Sequence, residues 1–477
     1  MAEKIKIDDI SVFFICTLLF STLLMNNGYY VFFPLLGLLI LLYLIQQPFK
    51  PAIFSLLCIQ HYLQIASAVW LCNYLDKEIN YNTPFRSTAT IASLIGLFSL
   101  MLPVLYFQNK IPKQSFVSLR ASVNEFSSQK LLYAYIIAFV TSSFLGSIAF
   151  VFGGLTQIII SVVKVKWMLF LLFGYHCILN NENKKLFFLF VALEFISGFL
   201  GFFSDFKTVI FFLAVLFISL VGKINSKQVI YAFFIGTALL FFGLFWTVIK
   251  GDYRTFLNGG QQSQAVVVET NEAVNKLWDL SSSVNSNSLS ASTVDFLDRL
   301  QYTYHFAKTM EMIPDILPYE NGNNWLASIE FTTTPRILNP NKPNYDATEK
   351  TKKYTGIKYA GKKEGVSFSL GYFPDSYIDF GLYGMMGVLF ALGLLYGVVY
   401  NYLLKKSSAN IIFNYSAACA FFLEFNALEM DSTFLLGRLF ASMITFYILI
   451  KLAFPKLVKY LKKSNKIINE ESPFFST

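Results

Sequence analysis

A small set of ionisable side chains stands in or beside long apolar runs: Arg86, Lys164, Lys166, Glu194, Asp205, Lys207, Asp379, Glu424, Glu429, Asp431 and Arg438. A charge at the centre of a bilayer costs roughly 2.5–3.5 kcal/mol on insertion scales, so each needs a partner or a task. The chemistry open to carboxylates and guanidinium groups in such places is proton transfer and anion binding. Pairing of Glu424 or Asp431 with Arg438 is the structural alternative. Of the histidines, His61 and His176 fall inside apolar runs, where a satisfied structural role is expected. His305 lies in a polar segment and is a candidate general base. The five cysteines fall in apolar segments without metal-type spacing, which argues against disulfides and zinc. There is no Walker A run, no G-x-G-x-x-G after a strand, no H-E-x-x-H and no acidic calcium loop. No cofactor is expected, and ATP-driven transport by this chain alone is disfavoured.

The elements that hold these groups follow from composition. Apolar residues make up 55% and charged residues 14% of 477 residues, Phe alone occurs 52 times, and mean hydropathy is +0.52. A soluble chain could not hide that much apolar surface, so the solvent is a bilayer. About 20 apolar residues span ~30 Å of hydrocarbon as a helix. Candidate crossings lie near 10–26, 29–46, 51–73, 87–108, 130–152, 155–179, 185–202, 206–222, 229–249, 378–403, 408–427 and 433–454. The sixth is the weakest, interrupted by Lys164 and Lys166, and 153–163 is an alternative interfacial or re-entrant stretch. The N-terminus lacks a signal-peptide cleavage pattern, and its first apolar run is expected to remain as an anchor. The formal net charge of +9 is a topology signal and not a nucleic-acid patch. With both termini inside, short cytoplasmic segments carry 18 Lys/Arg and the opposite short loops 3, as the positive-inside rule demands. The fold class expected is an all-α polytopic membrane protein of about twelve transmembrane helices with one large, partly helical outer loop. Its parts are an N-terminal bundle of about nine helices (1–249), the loop (250–377), three C-terminal helices (378–454) and a basic cytoplasmic tail (455–477).

The loop is nearly neutral, with 13 Lys/Arg and 14 Asp/Glu. Its Ser/Asn/Gln-rich first part reads as mobile or partly ordered. STVDFLDRLQYTYHFAKTMEMIP reads as one capped helix ended by Pro314, and NNWLASIEFTT as a second short helix. A Pro/Asn-rich extended run, PRILNPNKPNYD, and a basic stretch, KTKKYTGIKYAGKK, follow. The basic stretch reads either as a holder of an anionic glycan or as a solvated charged loop. On this topology the costly polar groups gather on the side of the large loop, which points to a polar hollow there roofed by residues 293–377.

The stretch TTTPRILNPNKPNYD, followed by SFSLGYFPDSYIDFGLYGMMGVLFALG, resembles the bacterial O-antigen and capsule repeat-unit polymerases of the Wzy type. The residues that carry the resemblance are Pro335, Arg336, Pro340, Lys342 and Pro343, then Tyr377, Asp379, Phe380, Gly381 and Gly384. It covers about fifty residues locally, and the many-span, one-loop layout matches throughout. The paired Arg-x15-Gly motifs of some polymerases are absent here. The resemblance implies a glycosyltransferase-type polymerase in the bacterial inner membrane, with both termini cytoplasmic and the large loop periplasmic. It implies block transfer of a growing chain from its polyprenyl diphosphate to a new lipid-linked repeat unit. The implied partners are polyprenyl-diphosphate-linked oligosaccharides, the lipid bilayer, a chain-length regulator and a flippase, with no nucleic acid.

That reaction needs cations to meet charge developing on the departing diphosphate, and arginine binds phosphate bidentately. Arg336 in its Pro-flanked run is the first candidate, with surface packing or pairing to Glu330 as the alternative. Lys342, Arg299, Arg254, Arg86 and Arg438 follow. A general base for the acceptor hydroxyl would come from His305, Asp375 or Asp379, the last of which is equally placed to cap a helix. Trp325, Tyr345, Tyr354, Tyr359 and Tyr372 are candidates for stacking on sugar faces. An O-antigen ligase differs only in its acceptor and stays open, as do a lipid-linked oligosaccharide flippase or other transporter and a non-catalytic membrane scaffold. A transporter usually has short loops and a midplane polar site, unlike the layout here.

Overall fold

The computed structural model describes residues 4–149, 155–200, 206–261, 266–334, 339, 341–342, 345–359, 367–425 and 427–463. The chain runs through α1 (Asp9–Ser21), α2 (Gly28–Ile45), α3 (Ile53–Tyr74), α4 (Arg86–Asn109), α5 (Phe116–Asn124), α6 (Ser128–Ile148) and α7 (Thr156–Asn180). Then come α8 (Lys184–Leu200), α9 (Phe206–Ser219), α10 (Ser226–Leu257), α11 (Thr270–Ser283), α12 (Ser286–Leu300), α13 (Thr303–Met312), α14 (Asn323–Thr333) and α15 (Ala347–Thr355). The last are α16 (Tyr372–Lys406), α17 (Ile411–Phe422), α18 (Ser432–Ile448) and α19 (Phe454–Leu461). The strands described are a short parallel pair, Lys6–Ile7 with Lys223–Ile224, which ties the start of α1 to the start of α10. Asp8 fastens the same corner: its carboxylate caps α1 at Ser11 N and accepts from Ser226 N.

Every apolar run read as a crossing is helical over most of its described residues. Among the described residues seven helical stretches are long and apolar enough to cross a bilayer: α2, α3, α4, α7, α10, α16, and α18 continued through a π-helical turn into α19. This is an all-α membrane protein. Within α3 78% of the most apolar stretch is buried, against 11% for α10. So α3 is central, and α10 keeps most of its surface for lipid. The sixth run, interrupted by two lysines, is an unbroken helix in α7. Its lysines are neutralised inside the bundle: Lys164 pairs with Glu424 at 2.6 Å and Lys166 with Glu194 at 2.9 Å.

The tightest packing joins α4 to α16. Gly393 and Gly397 are one turn apart, and a Cβ on Gly393 would run into the Leu100 carbonyl. Small residues at such spacing let two backbones approach, which is how helices associate without a hydrophobic drive between them. Near its start α16 is broken at Gly381, whose φ of 66° and ψ of −170° suit glycine alone. Residues 372–380 therefore form a separate short helix leading into the spanning one.

The polar segment between α10 and α16 is built differently from the expectation. Its Ser/Asn/Gln-rich part contains α11 and α12, the latter started by a reciprocal Asn285–Ser288 cap. The single helix read over 293–313 is two, because Gln301 is extended and the Tyr302 N–H bonds the Gln64 carbonyl of α3 instead of continuing the ladder. Segments of this stretch do not sit only as a roof. Phe306, Ala307, Met310 and Ile313 share one buried cluster with residues of α3, α4 and α16. The second short helix, NNWLASIEFTT, is α14, residue for residue.

Candidate functional site

Four cations from three helices converge. Lys250 and Arg254 stand one turn apart near the C-terminus of α10, and Lys250 lies in electrostatic reach of Arg254, of Arg299 in the last turn of α12, and of Lys207 at the start of α9. α12 packs against both α10 and α3, and Phe296 of α12 lies against Gly243 of α10, which sets Arg299 beside the α10 pair. Lys207 and Arg299 are exposed, and Lys250 and Arg254 partly so. The acid that Lys250 feels is Glu429. That carboxylate is exposed, and one oxygen accepts from the Gln64 side-chain nitrogen at 2.5 Å. Gln64 is itself fixed: its amide oxygen accepts from Leu428 N at 2.6 Å, and its carbonyl takes the Tyr302 N–H. Because Gln64 is near the middle of α3, the turn carrying Glu429 is held deep against the bundle.

Arg254 and Arg299 are thus brought together, while the other sequence candidates are dispersed. Arg86 is buried at the start of α4, bonded to Cys72 Sγ at 2.6 Å and Asn82 at 2.8 Å and set over the Tyr304 ring. Its Nε has no partner among the described residues. Arg438 stands in electrostatic reach of Lys164, beside the Lys164–Glu424 pair and Ser442. Glu424 is given to Lys164, so the pairing of Arg438 with Glu424 alone is replaced by a three-charge cluster. Lys342 bonds the carbonyls of Phe331 and Thr334 and lies over the Phe331 ring, closing the C-terminal end of α14 as a cation there is expected to do. Arg336 lies outside the described residues.

The three proposed bases meet different fates. His305 is half-buried, its Nδ1 bonded to the Tyr359 hydroxyl at 2.6 Å and its ring flanked by Tyr302, Tyr304 and Tyr359. Burial pulls its pKa down to about 4 against a weak opposing pull from Asp298, so it is neutral at pH 7 and a weak base. Asp379 commits both oxygens to the first turn of α14, at Asn324 N (3.0 Å) and Trp325 N (2.8 Å). Gly322 with φ 94° turns the chain into that helix. Asp375 is fully buried, and one oxygen receives Lys350 Nζ at 2.8 Å, Ser432 N at 2.8 Å and Ser432 Oγ at 2.7 Å. Next to it Asp431 caps α18 at Phe434 N and accepts from the Tyr345 hydroxyl at 2.6 Å. Burial, then the neighbouring Asp375 charge, raises the pKa of Asp431. Lys350 comes from α15, so the basic run there is not simply solvated: this lysine turns inward, while Lys352 and Lys353 pair with Glu349 and Glu320.

The family described as "Domain of unknown function (DUF8712)" matches residues 44–462. The chain belongs to that family. No curated protein and no solved structure matches it. The matched range of this DUF8712 chain takes in both the cation cluster with Glu429 and the Asp375 network. Lys207, Lys250, Glu429, Gln64 and Lys350 are members that sequence reasoning left out of the site. Lys250 had a readable signal, since it stands four residues before Arg254 on one helix face. Glu429 was visible only as a charge beside a crossing, and Gln64 carries no local signal.

Proposed function

We propose that this chain is a membrane glycosyltransferase that moves a glycan from a polyprenyl-diphosphate carrier to a second lipid-linked glycan, as the O-antigen and capsule repeat-unit polymerases do. The reading includes about twelve crossings in a bacterial inner membrane, cytoplasmic termini, and the segment 250–377 on the outer side. The lysine asymmetry of the short loops supports that orientation. A chain-length regulator and a flippase are the partners this reading implies.

The observation that carries the proposal is the convergence of Lys207, Lys250, Arg254 and Arg299 at the end of α10, with solvent reaching them. Among the described residues, Lys250 has three further cations and one carboxylate in electrostatic reach, surroundings suited to a diphosphate. Arg254 lies in the last turn of a helix that leaves most of its surface to lipid. As the anomeric carbon leaves its phosphate oxygen, charge grows on the diphosphate, and fixed cations in a partly dry setting lower the barrier most at that moment. The activated sugar–diphosphate bond drives the transfer, so no nucleotide is required. The unbroken acid–cation pairs inside the bundle, Lys164–Glu424 and Lys166–Glu194, are fully engaged with each other, which fits a static scaffold better than a midplane transport site.

The test is reconstitution. Purified protein in lipid nanodiscs, given lipid-linked repeat units, is expected to produce a ladder of polymer lengths. Movement of the lipid-linked unit across vesicles without a ladder would replace the proposal with a flippase, and transfer only to lipid A core would make the enzyme a ligase.

A further inference from the structure

We infer that Glu429, oriented by Gln64, is the general base that removes the proton from the acceptor hydroxyl. This rests on the transferase reading above and names the group that completes it. Three other acids of the outer segment and its flanking helices are committed. Asp379 caps α14, Asp431 caps α18 and holds Tyr345, and Asp375 is fully buried under Lys350 and Ser432. Glu429 is exposed, lies in electrostatic reach of Lys250, and accepts from Gln64 through one oxygen. Its other oxygen has no hydrogen-bond partner among the described residues. The Gln64 amide cannot turn over without losing Leu428 N, so its nitrogen faces the carboxylate in one orientation. A base held this way is aimed without being consumed, which is what proton transfer requires.

The step balances. The acceptor O–H proton passes to Glu429, and the freed electron pair on that oxygen forms the bond to the donor's anomeric carbon. The bond from that carbon to the diphosphate oxygen breaks, and its electron pair leaves with the diphosphate, facing Lys250, Arg254 and Arg299. Among the described residues, Lys250 of α10 and Tyr302 at the entry to α13 lie in electrostatic reach of Glu429, and Lys250 in turn has Arg254 of its own helix, Arg299 of α12 and Lys207 of α9 around it.

The experiment uses the full chain in nanodiscs with lipid-linked repeat units. Glu429→Gln is expected to lower kcat by about 10²–10⁴-fold with the donor KM within about threefold. Glu429→Ala is expected to regain activity with added formate, a response that a merely structural carboxylate does not give. Gln64→Ala, which removes a positioning residue, is expected to lower kcat about tenfold and to shift the acidic limb of the kcat profile. Wild-type kcat in Glu429→Gln, or a loss in Glu429→Ala that formate does not restore, overturns the assignment. If in that case Arg254→Gln and Arg299→Gln still suppress the ladder, the transferase reading stands without this base. If the wild-type chain makes no ladder, the reading itself falls and takes the base with it.

Discussion

Removing Lys350 is expected to damage the fold more than removing its partner. Asp375 is fully buried, and of the three donors on its engaged oxygen only Lys350 carries charge. Lys350→Met leaves a carboxylate with the two neutral donors of Ser432 and with Asp431 close by. Stripping the counter-charge from a buried pair costs about 3–5 kcal/mol. Asp375→Asn is milder. The amide oxygen still accepts from Ser432, and the freed Lys350 ammonium borders an open cavity of about 440 Å³ lined by Glu320, Asn323 and Lys353, where it can stay hydrated. Its cost is about 1.5–3 kcal/mol, the loss of one charge-assisted hydrogen bond. The double variant is expected to recover much of the Lys350→Met loss, giving a coupling energy on the order of 2 kcal/mol. Reversible unfolding in mixed micelles, on all four proteins of the cycle, measures it. Equal costs for the two single variants, or strict additivity in the double, would refute the reasoning.

Neutralising Arg254 or Arg299 to Gln removes one charge-assisted contact to phosphate, about 1.5–3 kcal/mol, so ladder formation should fall roughly 10–100-fold and become less sensitive to salt. The check is polymer yield against ionic strength. In the unfolded chain His305 takes up a proton near its ordinary pH of about 6.5, but in the fold only near 4. Between those values the unfolded state binds more protons, so stability is lost as pH falls from about 6.5 towards 4. The ceiling is on the order of 3 kcal/mol for a single group. His305→Phe should flatten the acid limb of a pH–stability curve, and an unchanged limb would show that other groups set it. Gly381→Ala forces a side chain into a backbone conformation that only glycine tolerates, with the Tyr319 ring close by. A loss of about 1–3 kcal/mol in the same micelle assay is expected.

Much of the helical layout was legible because burial in lipid demands long apolar runs whatever the partners. The apolar runs read from hydropathy fall on α1–α4, α6–α10 and α16–α18, and of these α2, α3, α4, α7, α10, α16 and α18 with its continuation are long and apolar enough to cross. The short helix NNWLASIEFTT was legible for a local reason, a run of helix formers ended by a proline. The break at Gln301–Tyr302 was not, because what competes with the helical ladder there is the Gln64 carbonyl, remote in sequence. The inward turn of Lys350 was equally hidden. A lysine in KTKKY looks solvated until the fold brings a buried Asp375 within 2.8 Å of it.

By itself, the sequence determined the solvent and the helical class. Those follow from composition and from the cost of unpaired polar groups in hydrocarbon, and both are properties of short windows of chain. The tertiary structure decided which charges meet. It gave Glu424 to Lys164, set Asp379 to capping α14, and gathered Lys207, Lys250, Arg254, Arg299 and Glu429 from separate segments. Electrostatic partnership depends on distances of a few ångströms between groups remote along the chain, and only the packing of α3, α10 and α12 fixes those distances.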